Sequence, residues 1–390
     1  MKELQFDIVI HLAGEQSVPN YMGMKLSEAK EHVLLTTTRT RKQHDVLSMM
    51  FAGKLSFIKN IVVDAMDYAA IKSEMNKISG MENKRIGVNV TGGTKPMFAA
   101  ALDFCRENNH TPFYLDTQNR AIFSFTNEFC KLPMPKVFTS VGEFAKLGGY
   151  EIKGAVKRAD DISQERRDLI KLFWENKDFV RRVIVDFSEA TNKKYQSQKN
   201  NPPQSFDRAV SLITRPRRGN KREERLSEAW EAVFPADYAD WRAAAKFGAG
   251  EWFEEWLLLQ FANSRKSDDF CDLCSDVTLS FSNDVDNKNV QQIDLAYTDG
   301  YELTLIECKA GKVDQEHIQK FENIRRQIGG VMGKGLLCAI NYQYPSDVVV
   351  ERVKNGSLSL VTGEKPLRML PNRYDKITPR QCYQDERDFE

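Results

Sequence analysis

The chain has 390 residues, 41% hydrophobic and 28% charged, the proportions of a soluble globular protein of two or three domains. A net charge of +1 excludes a global basic field, so any affinity for nucleic acid has to come from local patches. No apolar run reaches the roughly 18 residues of a membrane span, Met1-Lys2-Glu3-Leu4 does not read as a signal peptide, and an odd, scattered set of seven cysteines suits reduced thiols in the cytoplasm.

Residues 1–145 alternate strand and helix patterns. Phe6 to Leu12, His32 to Thr36, Phe57 to Val63 and Ile86 to Val90 read as strands. Helical segments such as Tyr68 to Ile78 lie between them, and Phe113 to Leu115 and Ala121 to Phe125 supply later strands. That alternation predicts βαβ units, a parallel sheet covered on both faces, and a ligand site at the carboxyl ends of its strands. One such end carries Thr91-Gly92-Gly93-Thr94-Lys95, where two glycines permit a tight turn ahead of a helix. The threonine hydroxyls and the lysine suit an anionic phosphate, although neither the Walker A nor the G-x-G-x-x-G spacing is present. A plain strand-to-helix turn explains the same residues. His11, within the first strand, reads as a satisfied core histidine.

Residues 146–245 read as a helical connector. Arg166 to Phe187 is predicted helical, anchored by Leu169, Phe173 and Trp174, and Asn192 to Ser205 reads as a mobile linker. Arg215-Pro216-Arg217-Arg218-Gly219-Asn220-Lys221-Arg222 is either a phosphate-contacting loop or a solvated one. Cys271-Asp272-Leu273-Cys274 has no second pair and no nearby histidine, which argues for ordinary thiols rather than zinc.

Residues 246–345 form a third unit, followed by an extension over 346–390. Gln291 to Thr298 and Tyr301 to Lys309 are β-rich runs flanking Asp299-Gly300, a strong hairpin signal. A two-residue loop sets Thr298 opposite Tyr301 and Asp294 opposite Leu305. Glu307 then shares the face of Asp294, diagonally placed with Cβ atoms roughly 7–8 Å apart, and Lys309 follows on that face while Cys308 points away. Two acids so spaced hold a divalent ion, or raise one another's pKa without it. A salt-bridged pair of strands is the structural alternative. Upstream, Trp252, Phe253, Trp256 and Leu257 mark an apolar helix that carries Glu254 and Glu255.

The acid followed by Glu-x-Lys resembles the core of PD-(D/E)XK nucleases, and Gly250 to Glu254 resembles the first helix of their Mrr-like members. The resemblance implies Mg²⁺ or Mn²⁺ held by Asp294, Glu307, the Cys308 backbone carbonyl and Glu254, with Lys309 and helical Gln327 completing a catalytic set. The Thr-Gly-Gly-Thr-Lys loop, with Glu15-Gln16-Ser17 and Pro19-Asn20 after the first strand, resembles the CARF domain, a Rossmann-like sensor of cyclic oligoadenylates. It implies a ring pocket lined by Gln16, Ser17 and Asn20, by Thr91, Gly92, Gly93, Thr94 and Lys95, and by Thr37 and Thr38. Together the two resemble CRISPR ancillary nucleases of the Can and Card type. The expected chain is therefore α/β: a CARF domain, a helical connector and a restriction-endonuclease-like domain. It is expected to be a homodimer switched by cyclic tetra-adenylate and to cut DNA, RNA or both without a membrane. The competing functions are a constitutive Mrr-like restriction nuclease and a non-catalytic cyclic-nucleotide sensor.

Overall fold

The computed structural model describes residues 5–54, 57–79, 84–117, 119–125, 129–192, 195, 201–235, 240–263, 270–281, 290–310, 315–329, 333–340 and 358–362. Most of the expected extension 346–390 and residues 193–194 and 196–200 of the expected linker lie outside them.

The N-terminal domain starts with β1 (Ile8–Leu12), α1 (Val18–Leu26), β2 (Glu31–Thr36), α2 (Lys42–Met50) and β3 (Phe57–Val62). It continues with α3 (Tyr68–Ser79), β4 (Ile86–Asn89), α4 (Lys95–Asn108), β5 (Thr111–Asp116), β6 (Ala121–Phe125) and β7 (Phe129–Pro133). The sheet order is β3-β2-β1-β4-β5-β6-β7, parallel through β5 and antiparallel after it. β1 is buried along its whole length, as a continuous apolar run requires when helices cover both faces. One face packs Ile71, Met75 and Phe104 of α3 and α4. The other packs Tyr21 and Leu47 of α1 and α2, together with Phe144 of α5 (Val141–Leu147).

β8 (Tyr150–Lys153) follows at once. It is the edge strand of the second sheet, paired antiparallel with β9 (Asp272–Phe281) across the whole helical connector. The connector helices are α6 (Gln164–Glu175), α7 (Lys177–Ala190), α8 (Gln204–Thr214), α9 (Lys221–Val233) and α10 (Trp241–Lys246). They do not hang as a linker. Phe173, Phe187, Phe206 and Trp230 share one core with α11 (Trp252–Ala262) and with one face of the second sheet. The basic segment is the turn between α8 and α9, where Arg217 pairs with Glu223 and Arg222 donates to the Glu175 carbonyl.

That second sheet adds β10 (Gln291–Thr298), β11 (Leu303–Lys309), α12 (Gln315–Gly329), β12 (Gly333–Ala339) and β13 (Leu358–Thr362), in the order β13-β12-β11-β10-β9-β8. β13 pairs parallel with β12, so the expected domain end at 345 cuts through a sheet. The sheet's other face, with Leu279, Leu303, Leu305 and Phe321, belongs to the core that contains Phe144, Tyr21 and Leu34 of the N-terminal domain. The two sheets thus share apolar packing through α5.

The hairpin register differs from expectation by two residues. Thr298 opposes Leu303, leaving a four-residue loop, Asp299 to Glu302. Asp299 Oδ1 accepts the amides of Tyr301 and Glu302, both at 3.0 Å, and this side-chain capture favours the longer turn. A two-residue slip conserves faces, whereas a slip of one would have inverted them. The turn rests on the N-terminal domain. Arg120 Nη2 reaches Asp299 Oδ2 at 3.2 Å and its guanidinium lies 4.9 Å over the Tyr301 ring, while Tyr301 Oη donates to the Met134 carbonyl.

Candidate active site and ligand loops

Continuing the β10–β11 register one step sets Asp294 opposite Glu307. Asp294 Oδ2 accepts the Cys308 amide at 2.7 Å, and Lys309 Nζ pairs with Glu307 Oε1 at 2.6 Å. The Cys308 thiol lies on the opposite face, buried with Ile306 and Cys338. Burial, and then the Glu307 charge, push the Asp294 carboxyl upward. Burial works against the Lys309 ammonium, yet the Glu307 and Asp294 charges prevail and raise its pKa.

Glu254, on α11, lies within electrostatic range of Asp294. The helix is entered through a wide turn, Phe247–Glu251, in which Gly248 lets the Phe187 ring approach to a distance no side chain permits: a Cβ there would stand 2.3 Å from that ring. Burial, and then the Asp294 and Glu251 charges, raise the Glu254 carboxyl. Its neighbour Glu255, the fallback that an uncertain helix phase leaves open, is turned away and buried against Lys157 and Arg166. Successive helix positions point about 100° apart, so only one of the two can face the hairpin.

Asp276 was not anticipated. It stands on β9 with φ +55, it accepts from Gln292 Nε2 at 3.0 Å, and its charge adds to the repulsion felt by Asp294 and Glu254. Side-chain alternation slips by one residue there and at Asp294, since Cys274 and Val277, like Ile293 and Ala296, face the same core. Gln327 is not brought to this site. Its side chain accepts from Tyr150 Oη at 2.7 Å near the end of α12. That helix leads back to Gly333, which pairs with Leu303 at the far end of β11 from Lys309.

By donor type the acids fit a hard divalent cation, and burial with neighbouring negative charge raises the carboxyls of Asp294 and Glu254. Among the described residues, no three Asp, Glu, His or Cys groups already stand at metal-holding spacing.

At the carboxyl ends of the first sheet, the loops after β1 and β4 meet glycine to glycine. A Cβ on Gly14 would stand 3.2 Å from the Gly93 amide, one on Gly92 would stand 2.3 Å from the Leu12 carbonyl, and Gly93 has φ +79. Lys95 is exposed at the start of α4, and Gln16 is half-buried. Ser17 and Asn20 are buried, and Asn20 Oδ1 has no hydrogen-bond partner among the described residues. Thr37 closes a small turn with Thr40, and Thr38 is exposed.

The threonines do less for a ligand than expected. Thr91 Oγ1 donates to Asn89 Oδ1 at 2.7 Å and accepts the Leu115 amide. Thr94 Oγ1 donates to the Ala65 carbonyl at 2.7 Å and accepts the Met97 amide as a helix cap. Their hydroxyls shape the loop. Behind them a directed chain runs from Asn89 Nδ2 to His11 Nδ1, from His11 Nε2 to His32 Nδ1, and from His32 Nε2 to the Ala29 carbonyl. It is complete only with both rings neutral, and burial holds both pKa values down. His11 is thus a satisfied core histidine. Sequence reading missed Gln43, buried and donating to the Gly14 carbonyl, and Arg39, which pairs with Glu15 at 2.6 Å beside the loops.

Two family models match. The Card1 CARF domain covers residues 8–144, and the Card1-like endonuclease domain covers 241–373. Among solved structures, Can2 from Sulfobacillus thermosulfidooxidans in complex with cyclic tetra-adenylate aligns over 98% of both chains at 18% identity and TM-score 0.67. Protein VC1899 from Vibrio cholerae aligns over 94% of this chain and 96% of its own, at 14% identity and TM-score 0.73. A type III CRISPR defence DNA nuclease activated by cyclic oligoadenylate aligns over 85% of this chain but 45% of its own, at 15% identity and TM-score 0.52. No curated protein sequence matches at a significant level.

These matches define a class: a CARF domain joined by helices to an endonuclease domain. Within it, the chain carries a CARF domain of the Card1 kind and a Card1-like endonuclease domain.

Proposed function

We propose that this protein is a homodimeric, divalent-metal-dependent PD-(D/E)XK nuclease of the cytoplasm, switched on by cyclic tetra-adenylate and cutting DNA, RNA or both in type III CRISPR defence. The observation that carries the reading is the pairing of Asp294 and Glu307 beside Lys309, with Glu254 within electrostatic range of Asp294, in a chain whose other domain presents two glycine loops. The complex of similarly folded Can2 with cyclic tetra-adenylate supports the choice of activator.

Asp294, Glu307, Glu254 and the Cys308 carbonyl are the groups that would hold Mg²⁺ or Mn²⁺. The bound cation supplies a water of lowered pKa and a counter-charge for the phosphate. Lys309, kept charged by its two acidic neighbours, donates to the phosphate oxygens where negative charge develops. Lys95 and the start of α4 receive phosphates of the activator, and the close Gly14–Gly93 approach brings the loops after β1 and β4 together beside them. One chain offers a single such loop to a four-phosphate ring. Two chains about a two-fold axis match it symmetrically.

The test combines purified protein, Mn²⁺ and cyclic tetra-adenylate with plasmid or single-stranded RNA. Cleavage is expected only when all are present, with one ring bound per two chains by calorimetry and light scattering. Cleavage without the ring, or in EDTA, overturns the reading, and one ring per monomer overturns the symmetric arrangement. Lys95→Ala is expected to raise the activator concentration required and leave the saturated rate nearly unchanged.

Protons and metal compete for the raised carboxyls of Asp294 and Glu254. At limiting Mn²⁺ the cleavage rate is expected to fall as pH drops through those raised values, and more Mn²⁺ should move the fall to lower pH. Folding stability has the opposite sign. A carboxyl whose folded pKa is raised stabilises the fold below its unfolded pKa, and that contribution is lost as pH rises through the folded value. Metal-free protein should therefore melt lower in mild alkali, and Asp294→Asn should flatten that slope. A rate profile indifferent to Mn²⁺ would remove proton competition from the account.

A further inference from the structure

Behind Glu254 lies a closed ring of four charges that the reaction does not use. The entry turn and first turn of α11 carry three glutamates: Glu251, Glu254 and Glu255. Lys157 Nζ stands 2.9 Å from Glu251 Oε1 and 2.7 Å from Glu255 Oε1. Arg166 Nη2 stands 2.9 Å from Glu251 Oε2, and its Nε stands 2.7 Å from Glu255 Oε2. Each cation takes one oxygen from each glutamate. Glu255 is 1% exposed, so the ring is a condition of burying it. Lys246 adds a contact to Glu251 at 3.6 Å. Two of the three glutamates are thus held in ion pairs, and Glu254 is the one of the three whose charge interacts with Asp294.

The ring also grips the sheet. The Lys157 amide donates to the Ser275 carbonyl at 3.0 Å, and the Ser275 amide returns the bond at 2.9 Å. The next residue is Asp276, whose left-handed backbone marks the slip in β9. One lysine therefore joins the helix that offers Glu254 to the strand distortion beside Asp294.

We propose that Lys157, Arg166, Glu251 and Glu255 act as positioning residues, fixing Glu254 and the kinked β9 relative to Asp294, from where the acids would gather around a divalent cation. The proposal rests on the reading of Asp294, Glu307 and Glu254 as a nuclease centre. It makes metal affinity depend on side chains that never touch the ion, a dependence of about 10- to 100-fold where outer partners orient metal ligands.

The decisive measurement is Mn²⁺ binding by calorimetry on the full chain without substrate, with circular dichroism to verify the fold. Lys157→Met is expected to weaken Mn²⁺ binding about 10- to 100-fold and to leave cyclic tetra-adenylate affinity unchanged, while Lys157→Arg restores most of the loss. Glu255→Gln keeps the buried volume, and it decides the matter should Lys157→Met fail to fold. A folded Lys157→Met or Glu255→Gln protein with parental Mn²⁺ affinity overturns the positioning role. Glu254→Gln and Glu307→Ala separate the two levels: if both bind Mn²⁺ and cleave like the parent, the nuclease-centre reading fails, and the ring's role with it. If Glu254→Gln abolishes both while the ring variants match the parent, only the positioning role is lost.

Discussion

Glu307→Ala is expected to abolish cleavage and to leave activator binding at its parental affinity. Glu307 is opposite Asp294 and pairs with Lys309 at 2.6 Å, so its removal takes an oxygen donor from the proposed site and releases the lysine together. Lys309→Ala should behave differently. The acids remain, Mn²⁺ still binds, and the rate drops by about 10²- to 10³-fold, as when one preorganised donor to developing charge is deleted. Cleavage assays run beside calorimetry for Mn²⁺ and for cyclic tetra-adenylate separate these results. Parental activity in Glu307→Ala would take this hairpin out of the mechanism.

Gly92→Ala should silence the response to activator with the nuclease centre intact. The added Cβ would stand 2.3 Å from the Leu12 carbonyl oxygen and 3.0 Å from the Gly14 amide, and both are backbone atoms that cannot rotate away. The loops after β1 and β4 must separate, and α4 starts three residues further on. The expected result is cyclic tetra-adenylate binding weakened at least about 100-fold, the upper part of the ordinary range of coupling between sites. Mn²⁺ binding should be unchanged. Normal activator affinity in a folded Gly92→Ala protein would mean that the two loops do not form one pocket.

Much of this architecture is legible in the sequence because it depends on local periodicity. The first sheet follows from apolar runs alternating with amphipathic stretches. The shared face of Glu307 and Lys309 follows from the two-residue period of a strand, which survives a two-residue error in the turn. That error arose because Asp299 captures two amides of its own turn, and a side-chain choice of this kind is invisible beside a strong Asp-Gly signal. β8 is four residues long and finds its partner only after the connector has folded, so no local pattern marks it. Asp276 adopts a left-handed conformation that nothing in its neighbourhood announces. Gln327 misled because a helical glutamine carries no information about which end of the sheet its helix reaches. Thr91 and Thr94 read as free donors because a sequence shows hydroxyls without showing what they are bonded to.

The place of β8 bears on how such a chain can be cut and rejoined. A splice at residue 246 would give the nuclease sheet a bare β9 edge, and exposed edges of that kind recruit other strands. It would also leave Lys157 and Arg166 on the discarded piece. A splice just before β8 keeps both but parts it from α5, whose Glu143 accepts from Tyr21 at 2.8 Å and whose Phe144 packs between the two sheets. Sensor and cutter are sewn together across their boundary, so exchanging one sensor for another is a matter of regrafting an interface rather than swapping a cassette.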